Sequence, residues 1–453
     1  MSDNTVELSG AERPLRIAVV GAGPSGCFIA GALRRSLPTA RIVVIDRLPC
    51  PFGLVRYGVA SDHQSTKNIT RQFDRIFSRE GVEFAGNVSV TTAAVNAEIQ
   101  SGAGSVTLAE LRDRVDAVVF ATGLAADRAL GVPGEGLPGV IGSGALTRVL
   151  NSHPDDADAI ALTATLGDRV AIVGLGNVAV DIIRFLAKEA ADFEGSDIND
   201  AALAAYHRAP VTRIDVFSRS AIELAKCDAQ MIRELGQISG LVVSLHGDTA
   251  TPLEQIEDRV QKSRVEALRE LAQLAADAAG PRIELRLHFG AAPQEVLGEE
   301  RVVGLRVALS AGGTQDYAVD SVVSAIGFGA DAHSPDIGGT RADGGSCRVE
   351  PGLYRVGWLR RGPQGTIPEN RADAVAVAAE IVADLESGAI PRADIAAEAP
   401  ILPSRARALA VSYEDWLRVD RHECEHAATG RTRSKLPTTV QMLEVARQGA
   451  TAA

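Results

Sequence analysis

Cysteine is scarce in this sequence and follows no pattern. Five cysteines (Cys27, Cys50, Cys227, Cys347 and Cys424) are scattered through 453 residues, with no C-x-x-C pair. This argues against a disulfide framework, a redox dithiol and a cysteine-held iron–sulfur cluster. Positive charge is also in deficit. With 46 Lys and Arg against 58 Asp and Glu, the net charge is −12. Broad nucleic-acid binding is therefore not expected, although a local basic patch remains allowed. The uncharged run 17–33 contains four glycines and Pro24, and it falls short of the ~20 apolar residues that span a bilayer. The opening M-S-D-N-T-V-E-L-S-G-A-E-R-P is acidic and polar, unlike a signal peptide. The expectation is a cytoplasmic protein, a monomer or weak dimer, with no membrane or nucleic-acid partner. No metal site is expected either. His422, Cys424 and His426 fall in a helical run that turns the middle residue off the face of the outer two.

With 46% apolar and 23% charged residues, the chain is globular and long enough for two or three domains. Its organising stretch is Arg16 to Asp46. A short apolar strand, R-I-A-V-V, meets Gly21, Gly23 and Gly26 at G-x-G-x-x-G spacing. A helical run follows, then a second strand ending at Asp46 with Arg47 next. This is the pattern of a dinucleotide-binding βαβ unit. Gly21 permits the tight turn, Gly23 lets backbone approach a pyrophosphate, and Gly26 allows close helix packing. The pyrophosphate would sit on the free N–H groups of the helix N-terminus, and Asp46 would accept from a ribose 2′-OH.

The loop L-P-C-P-F-G-L-V-R-Y-G-V-A-S-D-H follows, well placed to line a cofactor. Residues 65–79 read as helical. D-A-V-V-F-A-T-G then runs a strand into Gly123. A Pro/Gly-rich tract from 124 resembles a linker. Beyond it, R-V-A-I-V-G-L-G-N-V-A-V-D opens a second unit with Gly174, Gly176 and Ala179 at the motif positions. Asn177 could bond a phosphate or the turn. Asp181 falls one turn into the helix, where an acid can also serve the helix end or face solvent. The next strand ends in Ser218, Arg219 and Ser220 with no acid. Arginine there suits a 2′-phosphate, which its planar donor fork can bind bidentately. The first site, with its acid, suits FAD or NAD, and the second leans to NADP. Residues 221–280 read as mostly helical, and the strands at 282–289, 302–309 and 317–329 as one continuing sheet. A strand near Trp358 is followed by a glycine-rich turn and a long helix opening around Thr366 to Arg371. The positive end of that helix, aimed at a flavin ring, would stabilise negative charge.

These residues carry a specific resemblance. The motifs V-V-G-A-G-P-S-G (19–26), G-L-V-R-Y-G-V-A-S-D-H (53–63), I-V-G-L-G-N-V-A-V-D (172–181), R-E-L (233–235) and G-W-L-R-R-G-P-Q-G-T-I-P-E-N-R-A-D-A (357–374) resemble the adrenodoxin reductase type of ferredoxin–NADP reductase, bacterial members included. The likeness spans nearly the whole chain. It implies an α/β fold of two Rossmann-like dinucleotide-binding domains, glutathione-reductase-like, with the second inserted in the first. The expected divisions are an FAD-binding part at 1–123, an NAD(P)-binding domain at 124–327, and a second FAD-binding part at 328–453 with a helical tail. Hydride would pass from NADPH to FAD, and single electrons to a ferredoxin-type partner. The resemblance implies catalytic roles for His63 and Glu234. It implies FAD contacts from Gly21, Gly23, Pro24, Ser25, Gly26, Asp46, Arg47, Gly53, Leu54, Gly123, Trp358, Gly365, Thr366 and Ile367. Nicotinamide-dinucleotide contacts are implied for Gly174, Gly176, Asn177, Val178, Ser218, Arg219 and Ser220.

Several positions depart from the family pattern. Ser218-Arg219-Ser220 stands where two arginines and a glycine are usual. A-I-E-L-A-K-C-D-A replaces the stretch beyond it, and Ser61 replaces a proline. These changes keep open an NADH-preferring or dual-coenzyme flavin oxidoreductase that reduces a small molecule. They also leave Glu223 as a group that could favour NADH.

Overall fold

Short runs of β-branched and aliphatic residues, buried on both faces, form the central strands, as parallel sheets require. In the computed structural model, Arg16–Val20 and Arg41–Ile45 pair in parallel with Ile17 opposite Ile42 and Val19 opposite Val44. The structure describes residues 13–92, 102–276, 282–330, 337, 345–390, 392, 395–396 and 398–448. The chain divides into two units. One comprises Met1–Val59, His63–Ala126 and Gly329–Ala453, and the other Ala60–Asp62 and Asp127–Phe328.

The first unit is built on a six-stranded sheet in the order Arg348–Glu350, Leu353–Arg355, Ala117–Phe120, Arg16–Val20, Arg41–Ile45, Glu83–Ala85. Among the described strands of this sheet, Arg348–Glu350 alone runs antiparallel to its neighbour. Helix Pro24–Ser36 covers the sheet. It opens with Pro24 at its first position and carries Arg34 and Arg35 in its last turn, both favoured placements. It packs against the long helix Ile367–Glu386. The run expected as one helix over 65–79 is broken into Gln64–Lys67 and Thr70–Ser78.

The second unit has a fully parallel sheet in the order Leu241–Gly247, Ile283–Phe289, Arg213–Ser218, Arg169–Val173, Ser321–Ser324, Val140–Gly142. Two expectations need correction here. The mostly helical stretch from 221 also contains a strand, because L-V-V-S-L-H-G forms the sheet edge between helices Ala229–Leu235 and Arg259–Ala276. The strands at 282–329 do not continue one sheet. Ala291–Leu297, Gly304–Leu309 and Thr314–Tyr317 form a separate antiparallel meander, whose apolar face, with Val296, Leu305 and Val307, packs on Ala171, Val173 and Phe217.

One buried ion pair closes the first unit. Within the stretch expected as a loop, Gly53–Tyr57 forms a short helix, and its Arg56 donates to Glu423 on helix Tyr413–Glu425 at 2.5 Å, with both side chains almost fully buried. Glu423 also accepts from the Leu436 N–H at 3.0 Å, and the Arg56 guanidinium lies over the Trp416 ring at 4.9 Å. Burial opposes the Arg56 charge most, but the Glu423 carboxylate together with Tyr57 and Cys50 outweighs it, and the net effect raises the pKa. Glu423→Ala would leave the Arg56 charge buried without its carboxylate, a cost of about 3–5 kcal/mol, whereas without Arg56 the Glu423 carboxylate would keep a second partner in Arg433 at 3.4 Å. Glu423→Ala should lower stability by that amount in guanidinium unfolding, and Arg56→Met/Glu423→Leu should lower it less. A Glu423→Ala protein within about 1 kcal/mol of wild type would show that the pair does not hold this unit together.

Candidate functional site

Each unit hangs its glycine turn on the same two backbone bonds. In the first, Gly21 N–H donates to Ile45 C=O at 2.7 Å and Ala121 N–H donates to Val20 C=O at 2.7 Å. In the second, Gly174 N–H donates to Phe217 C=O at 2.9 Å and Ala325 N–H to Val173 C=O at 2.8 Å. Gly21 and Gly174 have φ +105 and +104, a region that favours glycine. A Cβ on Gly21 would meet the Ala121 oxygen at 2.7 Å, and one on Gly174 the Ala325 oxygen at 2.4 Å. Gly26 is pressed against the turn itself, with Gly21 C=O 1.8 Å from where a Cβ would lie. The middle glycines differ. A Cβ on Gly23 or Gly176 would have no atom within 4 Å, so the backbone there faces open space.

Above those glycines lie unclaimed donors. The amides of Gly23, Ser25 and Gly26 have no acceptor among the described residues, nor do those of Gly176, Asn177 and Val178. Such donors at the positive end of a helix form a cradle for phosphate. The open face and the free amides fit a dinucleotide pyrophosphate in both units.

The turns differ in what flanks them. Asp46 accepts from Ala22 N–H at 2.7 Å and Leu48 N–H at 2.9 Å, so its carboxylate also braces the turn. Cys27 donates to Ala22 C=O at 3.4 Å. Burial, with Asp46 adding, pushes its thiol pKa well up, so it is no thiolate nucleophile. Ser218, in the place that Asp46 holds in the first unit, exchanges hydrogen bonds with the Ser220 backbone instead. Arg219 is exposed and has no hydrogen bond or ion pair among the described residues. Glu223 accepts from Thr251 Oγ1 at 2.8 Å, which holds it to its own unit.

The remaining expected residues of the first unit gather around its turn. Phe52 N–H donates to Ala22 C=O at 2.8 Å. This lays Gly53 over Gly23, whose Cα would be 3.0 Å from a Gly53 Cβ. Leu54 beside it is exposed and Arg47 half-buried. Ser25 reaches Asn370 at 3.3 Å and also fills the space where a Gly357 Cβ would lie. Gly357 N–H donates to Asp373 at 2.6 Å, and Trp358 begins a short helix rather than ending a strand. Gly123 has φ +69 and open space at its Cβ position. At the long helix, Glu369 accepts from the Thr366 hydroxyl and N–H, and these bonds lower its pKa. The expected bare positive pole therefore carries a carboxylate. The Gly365 and Ile367 amides remain without acceptors among the described residues. His63, before helix Gln64–Lys67, belongs to the first unit, and Glu234, on helix Ala229–Leu235, to the second.

Two features of the second unit were missed from sequence. Lys226 N–H donates to Leu175 C=O inside the glycine turn at 3.2 Å, and Arg264 clamps the carbonyls on either side of it, Ala225 and Cys227. Its exposed ammonium has no described partner. Only its place in the atypical 221–229 stretch could have drawn notice. Asp181 is neither a cap nor solvent-facing. It sits 3.5 Å from Arg184, which pairs with Asp62 at 2.6 Å. Burial first, then the Asp62 and Glu234 charges, raise its pKa to about 7 against the pull of Arg184.

Residues 15–353 match the model of the pyridine nucleotide-disulphide oxidoreductases. The chain belongs to that family. This oxidoreductase is 38% identical to the cindoxin reductase of Citrobacter braakii, over 95% of its own length and 91% of the relative's. It is 30% identical to the human mitochondrial NADPH:adrenodoxin oxidoreductase, over 96% and 93%. Among solved structures, FprA, a Mycobacterium tuberculosis oxidoreductase, superposes with a TM-score of 0.83 at 27% identity, covering 96% of this chain and all of that one. These likenesses place the oxidoreductase with the adrenodoxin reductase and ferredoxin–NADP reductase type. The fold is theirs, two Rossmann-like units. Among the described residues no helix is long and apolar enough to cross a membrane, and no group of three or more metal-ligating side chains comes together.

The Asp181 pKa carries a sign. Between about pH 4 and 7 the folded chain holds a proton on Asp181 that the unfolded chain has lost. Stability therefore falls as pH rises through that window and levels off above it. Asp181→Asn lacks this loss, so its Tm should gain on wild type between pH 5 and pH 8. A constant difference in Tm across that range would contradict the assignment.

Proposed function

We propose that this chain is an FAD-dependent reductase that takes hydride from NADPH and delivers single electrons to a ferredoxin-type iron–sulfur protein. The observation that carries the reading is the pair of open glycine turns, one braced by an acid and the other flanked by unpartnered cations. FAD and NADPH are its cofactors. The first turn, with Asp46, Arg47, Gly53, Leu54 and Gly123, holds the FAD. Trp358 and the Gly365–Ile367 backbone would border its ring, where the two free amides would stabilise negative charge. When bound, FAD accepts a hydride and returns electrons one at a time. The overall reaction is NADPH plus two oxidised ferredoxins giving NADP⁺, H⁺ and two reduced ferredoxins. His63 and Glu234 orient the nicotinamide and exchange protons beside it. The 2′-phosphate and ferredoxin assignments draw support from relatives described as NADPH:adrenodoxin oxidoreductase and as probable ferredoxin/ferredoxin–NADP reductase, and from a solved FprA complex with NADPH.

Gly174, Gly176, Asn177 and Val178 hold the NADPH pyrophosphate. Arg219 and Lys226 share the 2′-phosphate, with Ser218 and Ser220 adding neutral bonds. Lys226 takes over from the missing arginine. Glu223 is held by Thr251 and does not compete for the ribose.

Two measurements test this. NADPH should bleach the bound flavin rapidly, and cytochrome c reduction should depend on added ferredoxin. A flavin that bleaches while ferredoxin adds nothing would move the reading to a small-molecule acceptor. His63→Ala should keep its flavin and slow bleaching at saturating NADPH. An unchanged rate would remove His63 from the site. Arg219→Ala and Lys226→Ala should each lower kcat/KM for NADPH roughly ten- to a hundredfold, the worth of one charge-assisted contact, and leave NADH within about twofold. Equal losses for both coenzymes would show that this segment does not read the 2′-phosphate.

A further inference from the structure

Helix Thr70–Ser78 carries a row of arginines on an acidic protein. Arg71 and Arg75 lie one turn apart, and Arg79, just past the helix, continues the row. All three are exposed, and none has a side-chain hydrogen bond or ion pair among the described residues. The helix cannot roll to hide them, because Phe73, Ile76 and Phe77 on its other face are buried in the core. Its own acid is already engaged. Asp74 accepts from the Tyr413 hydroxyl at 2.7 Å and from Ser78 at 3.4 Å. Arg71 and Arg75 line an open groove of about 570 Å³ that runs to Ile367, the residue whose amide borders the flavin ring in the reading above.

We propose that this groove is the docking surface for the iron–sulfur acceptor, and that its unpaired arginines select an acidic one. The proposal rests on the reductase reading and says where the electrons leave. A net charge of −12 repels an acidic partner at a distance. At physiological salt, however, that field is screened beyond about 8 Å, and charges at the contact decide the encounter. Unpaired guanidinium groups cost nothing to free when a carboxylate arrives, and they bind carboxylates bidentately. An electron-transfer partner must also leave after each turnover. A small polar contact steered by charge suits that better than a broad apolar interface.

The test uses the full-length FAD-loaded enzyme with an acidic [2Fe–2S] ferredoxin as probe. Arg71→Glu/Arg75→Glu should raise the KM for ferredoxin at least tenfold and flatten its dependence on ionic strength. Flavin content and NADPH-driven reduction of menadione, an uncharged acceptor, should be unchanged. Arg71→Gln/Arg75→Gln, which adds no new charge, should show the same change to a smaller degree and serves if the reversal does not fold. Arg286→Glu, on the other unit, should leave the ferredoxin KM alone. A wild-type KM in both double variants overturns the docking surface and leaves the reductase reading standing. So does an equal rise in Arg286→Glu, because net charge alone would then explain it. A wild-type enzyme that is reduced by NADPH yet never reduces ferredoxin overturns both.

Discussion

The hydrogen bond from the first glycine of each turn to the last carbonyl of the neighbouring strand is the constraint on which both sites depend. Gly21 reaches Ile45 and Gly174 reaches Phe217. That bond pulls the turn over the ends of the strands and aims the next helix so that its free amides face outward. It demands a positive φ at the first glycine and no Cβ, since the small-residue tract leaving a third strand passes just beneath. Ala121 and Ala325 fill the same role in the two units. The likeness between D-A-V-V-F-A-T-G and D-S-V-V-S-A-I-G thus has a steric cause. Each tract must slide its backbone under a glycine.

With the scaffold repeated, charge distinguishes the units. In the first turn a carboxylate takes the Ala22 amide and leaves acceptor capacity for a sugar hydroxyl. In the second, a serine folds back on its own chain, and a lysine and an arginine stand unpaired nearby. One architecture therefore presents an anionic edge in one unit and a cationic edge in the other. Small changes at a strand end suffice, because the free amides of both turns belong to backbone and stay the same whatever side chain ends the strand.

The glycine turns, the small Ala179, the loop over Gly23 and the long helix at Ile367 were legible in the sequence. Each is encoded locally, by residues that only one backbone geometry tolerates. The edge strand Leu241–Gly247 was hidden because seven residues between two helical stretches carry too short a period to stand out. The separation of the meander from the parallel sheet depends on pairing partners far along the chain, and strand-like runs look alike until they pair. Lys226 was passed over because its importance lies in a backbone bond to Leu175. The arginines of Thr70–Ser78 were readable as a spacing of four. Their lack of partners, which makes them informative, follows from packing alone.

The order in which the chain is made gains meaning from the divided first unit. Its sheet places Leu353–Arg355 directly against Ala117–Phe120, yet more than two hundred residues separate them in synthesis. At typical ribosomal speed the early strands wait roughly 10–50 s for that neighbour. The second unit, apart from the short Ala60–Asp62 piece, is continuous from Asp127 to Phe328 and is complete before the wait ends. The nascent chain thus carries a finished second unit while the sheet of the first still shows an open edge of apolar strands. During that interval the half-built first unit is the part of the molecule most exposed to chaperones and to aggregation.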